Sequence, residues 1–187
     1  MSVAAEISPL LGVYNADNAQ LYAGLAGYPV APMKPAGLLT SATAVAVAAT
    51  GAGTSEQTLA TYSLPANVLD AVGRTLRIRA CFVTAANTNG KTCKLYFGSK
   101  SLSTGSITTA SAAPWLELIV TKSGASAQII AGYGFGGTTG IVPVALTGTG
   151  TASETDTAAI VIKATGTDGS DSAGDITLCS FTVEYMN

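Results

Sequence analysis

The chain contains no histidine. That absence removes the most common catalytic base, so serine and cysteine triads of the usual kinds cannot be assembled, and it takes away the nitrogen ligands of a typical zinc site. Cysteine is scarce too: Cys81, Cys93 and Cys179 are three in number and form no Cys-x-x-Cys pair, which excludes a cysteine-bound metal. Charge is thin. Charged residues make up 11% of 187 positions, nine basic against eleven acidic, less than half the usual globular share. Nine basic residues spread along the chain build no surface that tracks phosphates, so nucleic acid is not an expected partner. Long apolar runs are also missing, because the most apolar stretch, residues 42–49, is short, Ala-rich and broken by Thr, far below the roughly 20 residues that span a bilayer. No membrane is expected as a partner. The first charged residue is Glu6, with no basic segment before an apolar core, so a secretory signal is absent from the pattern and synthesis in a cytoplasm is expected.

What is present is alternation. Leu76, Ile78, Ala80 and Phe82 alternate with Arg77, Arg79, Cys81 and Val83, a period of two that gives a strand one buried and one mixed face. After Ala85-Ala86-Asn87-Thr88-Asn89-Gly90, Cys93, Leu95 and Phe97 alternate with Lys94 and Tyr96. An Asn-Gly step tolerates positive φ, so the two strands are predicted to form a hairpin. Cys81 and Cys93 stand at similar distances from that turn. They could bond across it, although a reducing compartment disfavours the bond and free buried cysteine is common. Ahead of the hairpin, residues 59–64 read as a short strand stopped by Pro65, which cannot donate to a ladder.

Downstream, residues 99–113 read as a Ser/Thr/Ala loop closed by Pro114. Trp115, Glu117, Ile119 and Thr121 then alternate with Leu116, Leu118 and Val120, a strand apolar on both faces, as in the middle of a sandwich. Residues 122–126 turn the chain, and residues 127–133 return as the partner strand. Further strands are predicted over residues 141–147, 158–164 and 176–186, separated by a Gly-Thr-Gly-Thr turn and an Asp-rich turn. About eight strands at this spacing predict an all-β fold, an antiparallel β-sandwich of jelly-roll-like layout.

Residues 1–56 differ from the rest, with prolines at Pro9, Pro29, Pro32 and Pro35 and few charges. Proline-bearing segments favour extended backbone and form no core unaided. Yet Leu10, Leu11, Tyr14, Leu21, Tyr22 and Tyr28 need burial, since a solitary exposed apolar segment invites aggregation. Residues 1–56 are therefore read as an extended arm lying on neighbouring subunits, the alternative being a strap across the chain's own sandwich at 57–187. A short helix near residues 17–25, capped by Asp17, fits the same stretch.

Three motifs invite a chemical reading. Gly132-Tyr133-Gly134-Phe135-Gly136-Gly137 matches the letters of a dinucleotide fingerprint, but β-branched residues and Pro143 follow where a helix must receive the pyrophosphate. No cofactor is expected, and Tyr133 and Phe135 are read as contact residues on a flexible loop. Asp168, Asp171 and Asp175 lack the alternate spacing and closing Glu of a calcium loop and read as a turn. Arg77 and Arg79 share a strand face and could meet an acidic partner, or Glu117 or Glu184 of the same chain. Glu117 and Glu184 carry no spacing signal for a glycosidase pair. The chain is expected not to be an enzyme.

Several elements together carry a family resemblance: the segment opened by Leu64-Pro65-Ala66-Asn67, the basic-apolar strand after Gly73, the Asn-rich turn, Leu95-Tyr96-Phe97-Gly98, the central Trp115, residues 157–168, and the final strand with Val183-Glu184. Over residues 57–187 the layout resembles a jelly-roll-type β-sandwich of structural proteins of tailed bacteriophages. The resemblance implies a non-enzymatic virion component, a capsid decoration or cement protein on the capsid exterior. It implies the major capsid protein as partner and a homo-oligomer, with three copies suiting three-fold positions between capsomers. A tail fibre or receptor-binding module, or a carbohydrate-binding sandwich, is the alternative; a sugar binder needs several aromatics on one exposed face, whereas here they are scattered in sequence. The thin charge agrees with a surface covered by neighbours.

Overall fold

The computed structural model of the chain describes residues 14–15, 20–21, 37–136, 142–143 and 150–186. Among them every regular element is a strand: β1 (Tyr14–Asn15), β2 (Gln20–Leu21), β3 (Gly37–Ala49), β4 (Gln57–Leu64), β5 (Thr75–Thr84), β6 (Lys91–Phe97), β7 (Lys100–Ser103), β8 (Trp115–Gly124), β9 (Ala127–Gly136), β10 (Val142–Pro143), β11 (Gly150–Ala152), β12 (Ile160–Asp168) and β13 (Ile176–Tyr185). A seven-stranded sheet runs β10-β9-β8-β5-β13-β3, with β11 also on β9, and a four-stranded sheet runs β4-β12-β6-β7. All pairings are antiparallel. The chain passes between the sheets repeatedly, β3 to β4, β4 to β5, β5 to β6, β7 to β8, β11 to β12 and β12 to β13, a wrapping of the jelly-roll kind.

The core follows from the alternation. Leu76, Ile78, Ala80 and Phe82 of β5 point inward with Leu116, Leu118 and Val120 of β8, while Cys93, Leu95 and Phe97 of β6 meet them from the other sheet, all buried. Two inner faces of this kind interdigitate to make the sandwich. β4 ends at Leu64, just before Pro65, and β8 and β9 form the expected hairpin.

The predicted hairpin of residues 76–97 does not form. β5 lies between β8 and β13 in the larger sheet, and β6 lies between β12 and β7 in the smaller one. The Asn-Gly step fails as a tight turn because neither Asn89 nor Gly90 adopts positive φ, which a type I′ turn requires. The close approach belongs to Gly169 instead: its N–H donates to the Gly90 carbonyl at 2.7 Å, and a Cβ on it would stand 2.7 Å from that oxygen. Residues 85–90 are thus a corner between sheets, and Cys81 and Cys93 stand in different sheets, both free.

Other expectations shift. Residues 37–49, placed in the arm, are hydrogen-bonded to β13, so the larger sheet begins twenty residues before the predicted boundary at 57 (57 − 37). Gln20–Leu21 is a strand paired with Tyr14–Asn15, not part of a helix. β7 lies in the predicted loop 99–113; of its four residues only Leu102 is buried, and no alternation marked a strand. β11 occupies the end of the Gly-Thr-Gly-Thr turn, and of the strand expected at 141–147 only Val142–Pro143 falls among the described residues.

Candidate interaction face

Because side chains alternate along each strand, the larger sheet has an outer face, and its register assembles residues far apart in sequence. On β5 the outward residues are Arg77, Arg79, Cys81 and Val83. β8 sets Glu117 opposite Arg79 and Trp115 opposite Cys81, while β13 sets Glu184 opposite Arg77. β9 then places Tyr133 opposite Glu117 and Phe135 opposite Trp115.

The charges neutralise one another. Arg77 donates from Nε to Glu184 Oε2 at 2.7 Å, and Arg79 donates from Nη2 to Glu184 Oε1 at 2.7 Å. Arg79 also faces Glu117 at 3.9 Å, and the Tyr133 hydroxyl donates to Glu117 Oε1. The open question of where Arg77 and Arg79 find partners is answered within the chain. Arg79 stands between the two glutamates, so they form no hydrolytic pair around a cleft. Burial pushes the Glu184 carboxyl up, but the hydrogen bond from Arg77 and the charges of both arginines outweigh it and hold the group below its ordinary range. A general acid needs the opposite shift.

Beside this ladder sit the aromatics. Trp115 and Phe135 stack at 5.9 Å between centroids with their planes 13° apart, and Tyr133 tilts against Trp115 at 6.2 Å. Tyr133 and Phe135 are 42% and 36% exposed, and Leu38, Val83 and Ile129 are exposed as well. Leu38, Arg77 and Glu184 line a depression at the β3 end of this face, with Gly37, Tyr185 and Met186.

The expected contact residues divide accordingly. Tyr133 and Phe135 lie on this face, on a strand and not on a flexible loop. Gly132 is there for packing, since a Cβ on it would stand 2.9 Å from both Leu102 methyls, and the dinucleotide reading has no loop to act through. Tyr14 and Leu21 are backbone partners in the two-residue ladder of β1 and β2. Leu10, Leu11, Tyr22 and Tyr28 lie outside the described residues. The grouping of Trp115 with Tyr133 and Phe135 went unread because the residues are some twenty apart in the chain. Counting equally outward from the turn at residues 124–127 would set Trp115 opposite Gly136; the bulge between Lys122 and Gly124 shifts the register by one residue and brings Phe135 there instead.

The Asp-rich segment is a clasp between loops. Asp175 accepts from Asn87 Nδ2 at 2.8 Å and Asn89 Nδ2 at 3.0 Å, and Asp168 Oδ1 accepts from Ser170 N–H at 3.1 Å. The buried Lys91 ammonium donates to the carbonyls of Asn87 and Asn89, each at 2.9 Å. The Lys91 ammonium is thus the cation beside these carboxyls, its charge helping to hold Asp175 low, and Asp171 is exposed. Chelator treatment is therefore expected to leave the melting temperature unchanged; a fall of several degrees that calcium restores would contradict the clasp.

Three carboxyls are held low. Glu184 is one. Glu56 is pushed up by burial but held down more strongly by hydrogen bonds from Lys94, Tyr96 and Thr165, and Asp175 is lowered mainly by Asn89. A folded value below the unfolded one contributes stability above the ordinary values of 4.5 and 3.8, and that stability is lost as pH falls through the folded values. The melting temperature should hold steady from about pH 7 to pH 5 and decline below about pH 4.5, as read by circular dichroism. Constancy down to about pH 3 would contradict these pairings.

No protein-family model matches the chain, and no curated protein does. Among solved structures it is similar to the CBM2 module of an evolved Dit from Lactobacillus casei BL23 phage J-1, at 10% identity over 68% of each chain with a TM-score of 0.38. A likeness of that size fixes neither ligand nor function.

Proposed function

We propose that this chain is a non-enzymatic structural protein of a tailed-phage virion, a capsid decoration or cement protein that adds contacts between shell subunits. The observation that carries the proposal is the outer face of the seven-stranded sheet. Leu38, Val83, Ile129, Tyr133 and Phe135, five of the eight large apolar side chains exposed among the described residues, lie on it, around charges paired within the chain. An apolar surface with internally paired charges is cheap to dehydrate against a protein partner, because no unpaired charge is stripped of water. The layout resemblance to phage structural proteins supports the same reading. The major capsid protein as partner, and several copies per site, belong to the proposal. Binding of this kind stabilises a shell by mass action.

The test is a charge placed on the face. Ile129→Asp and Phe135→Asp alter exposed side chains, so the melting temperature should move little while association with shells falls at least tenfold. Unchanged shell binding by both variants would remove the face from the interface.

A second reading is favoured by one observation, the Trp115, Phe135 and Tyr133 group. Aromatics gathered on an open sheet face offer a stacking surface to a saccharide. Trp115 is the single tryptophan, so its fluorescence reports directly. A saturable change on titration with host cell-wall polysaccharide, lost in Tyr133→Ala, would favour a glycan-binding module.

A further inference from the structure

The outer face also brings two thiols together. β13 carries a bulge between Leu178 and Ser180: Leu178 pairs with Phe82 and Phe181 with Ala80, so Cys179 and Ser180 together stand against the single residue Cys81. Leu178 and Phe181 are buried in the core, whereas the two residues between them are half-buried. Both Cys179 and Ser180 therefore turn away from the core. Cys81 does the same on β5, between buried Ala80 and Phe82. A bulge of this kind sets two side chains of one strand against one of its neighbour, and neighbouring antiparallel strands hold facing Cα atoms about 4.5–5.5 Å apart, within the reach of a disulfide.

We infer that Cys81 and Cys179 form a cross-strand pair that closes to a disulfide when the protein meets a thiol oxidant, tying β5 to β13. Both cysteines are free thiols in the structure. Burial, and then the neighbouring Cys179, push the Cys81 thiol above its ordinary value, which accords with thiols that lie close and stay reduced until an oxidant is supplied. With oxidised glutathione as oxidant, the thiolate of one cysteine attacks the glutathione disulfide and expels one glutathione thiolate. The second cysteine's thiolate then attacks the protein sulfur of the mixed disulfide, forms the Sγ–Sγ bond and expels the other. Two protein thiols are oxidised and one glutathione disulfide becomes two thiols.

Cys93 is excluded from the exchange. It is fully buried in the other sheet, and burial pushes its thiol up to about 12, so almost no thiolate is present at neutral pH. The pair joins positions 98 residues apart (179 − 81), a long loop whose closure restricts the unfolded chain. If the chain is a virion component, transfer from a reducing cytoplasm to an oxidising medium at lysis would set the bond. The chemistry itself does not depend on that setting.

The test uses the purified full-length protein and oxidised glutathione. Intact mass should fall by two hydrogens with no glutathione retained, and peptide mapping should join Cys81 to Cys179 and leave Cys93 unmodified. Fluorescence of Trp115, the cross-strand neighbour of Cys81, should be quenched. The melting temperature should rise by several degrees and return on adding dithiothreitol. Cys81→Ser and Cys179→Ser should each stop at the mixed disulfide, with no quenching. Persistent glutathione adducts on the unaltered protein, a link to Cys93, or no reaction at either thiol would each overturn the inference.

Discussion

Replacing Phe82 by alanine should lower stability by about 3–5 kcal/mol, as expected when a large buried aromatic is removed and its cavity persists. Phe82 is 1% exposed and pairs across β5 and β13 with Leu178, which is buried in the same core. Its loss therefore empties the middle of the sandwich. The next residue, Val83, is 44% exposed on the outer face, and Val83→Ala should cost less than about 0.5 kcal/mol. Leu95→Ala enters the same core from the smaller sheet, where Leu95 is fully buried, and should cost about 2–5 kcal/mol. Urea denaturation of the three variants measures the contrast. Equal losses at Phe82 and Val83 would mean that the strand does not face as described.

Removing the start of the chain should have two separable effects. A chain beginning at Gly37 keeps β3 and with it the full ladder to β13, from Thr177↔Ala49 to Tyr185↔Gly37. It should melt close to the full-length protein. A chain beginning at Thr50 lacks β3 altogether, so it bares the β13 edge and uncovers core residues against which Leu39, Val47 and Ala48 pack. A sharp fall in melting temperature and binding of a hydrophobic dye are expected, because an exposed edge presents unpaired backbone groups and fresh apolar surface. If residues 1–36 form an arm that orders only on a neighbour, the chain beginning at Gly37 should bind shells much more weakly while remaining folded. A large loss of melting temperature on removing residues 1–36 would instead identify them as a strap.

The sandwich was legible wherever a strand buries one face and shows the other, as in Leu76 to Phe82 or Leu116 to Val120, because the period of two is itself the consequence of that burial. What the pattern could not carry was partnership. Residues 76–83 and 93–97 look like hairpin arms, yet Asn89 and Gly90 avoid the conformation a tight turn needs and Asn87 and Asn89 are taken up by Asp175. Local sequence does not encode that distant carboxylate. β3 escaped for a related reason: an Ala-rich segment that also carries Thr40 and Thr43 shows little contrast between faces, and only the partner β13 gives it a side. The candidate face was half visible. Arg77, Arg79, Tyr133 and Phe135 stood out singly, but their meeting with Glu117, Glu184 and Trp115 is a property of register across four strands.

The claim that this chain is a shell component is tested most directly by mixing the purified protein with empty capsids and, separately, with isolated tails, and sedimenting each. Saturable co-sedimentation with capsids alone, lost in Phe135→Asp, is the result expected of a decoration protein. Sedimentation with tails and not with capsids would contradict it.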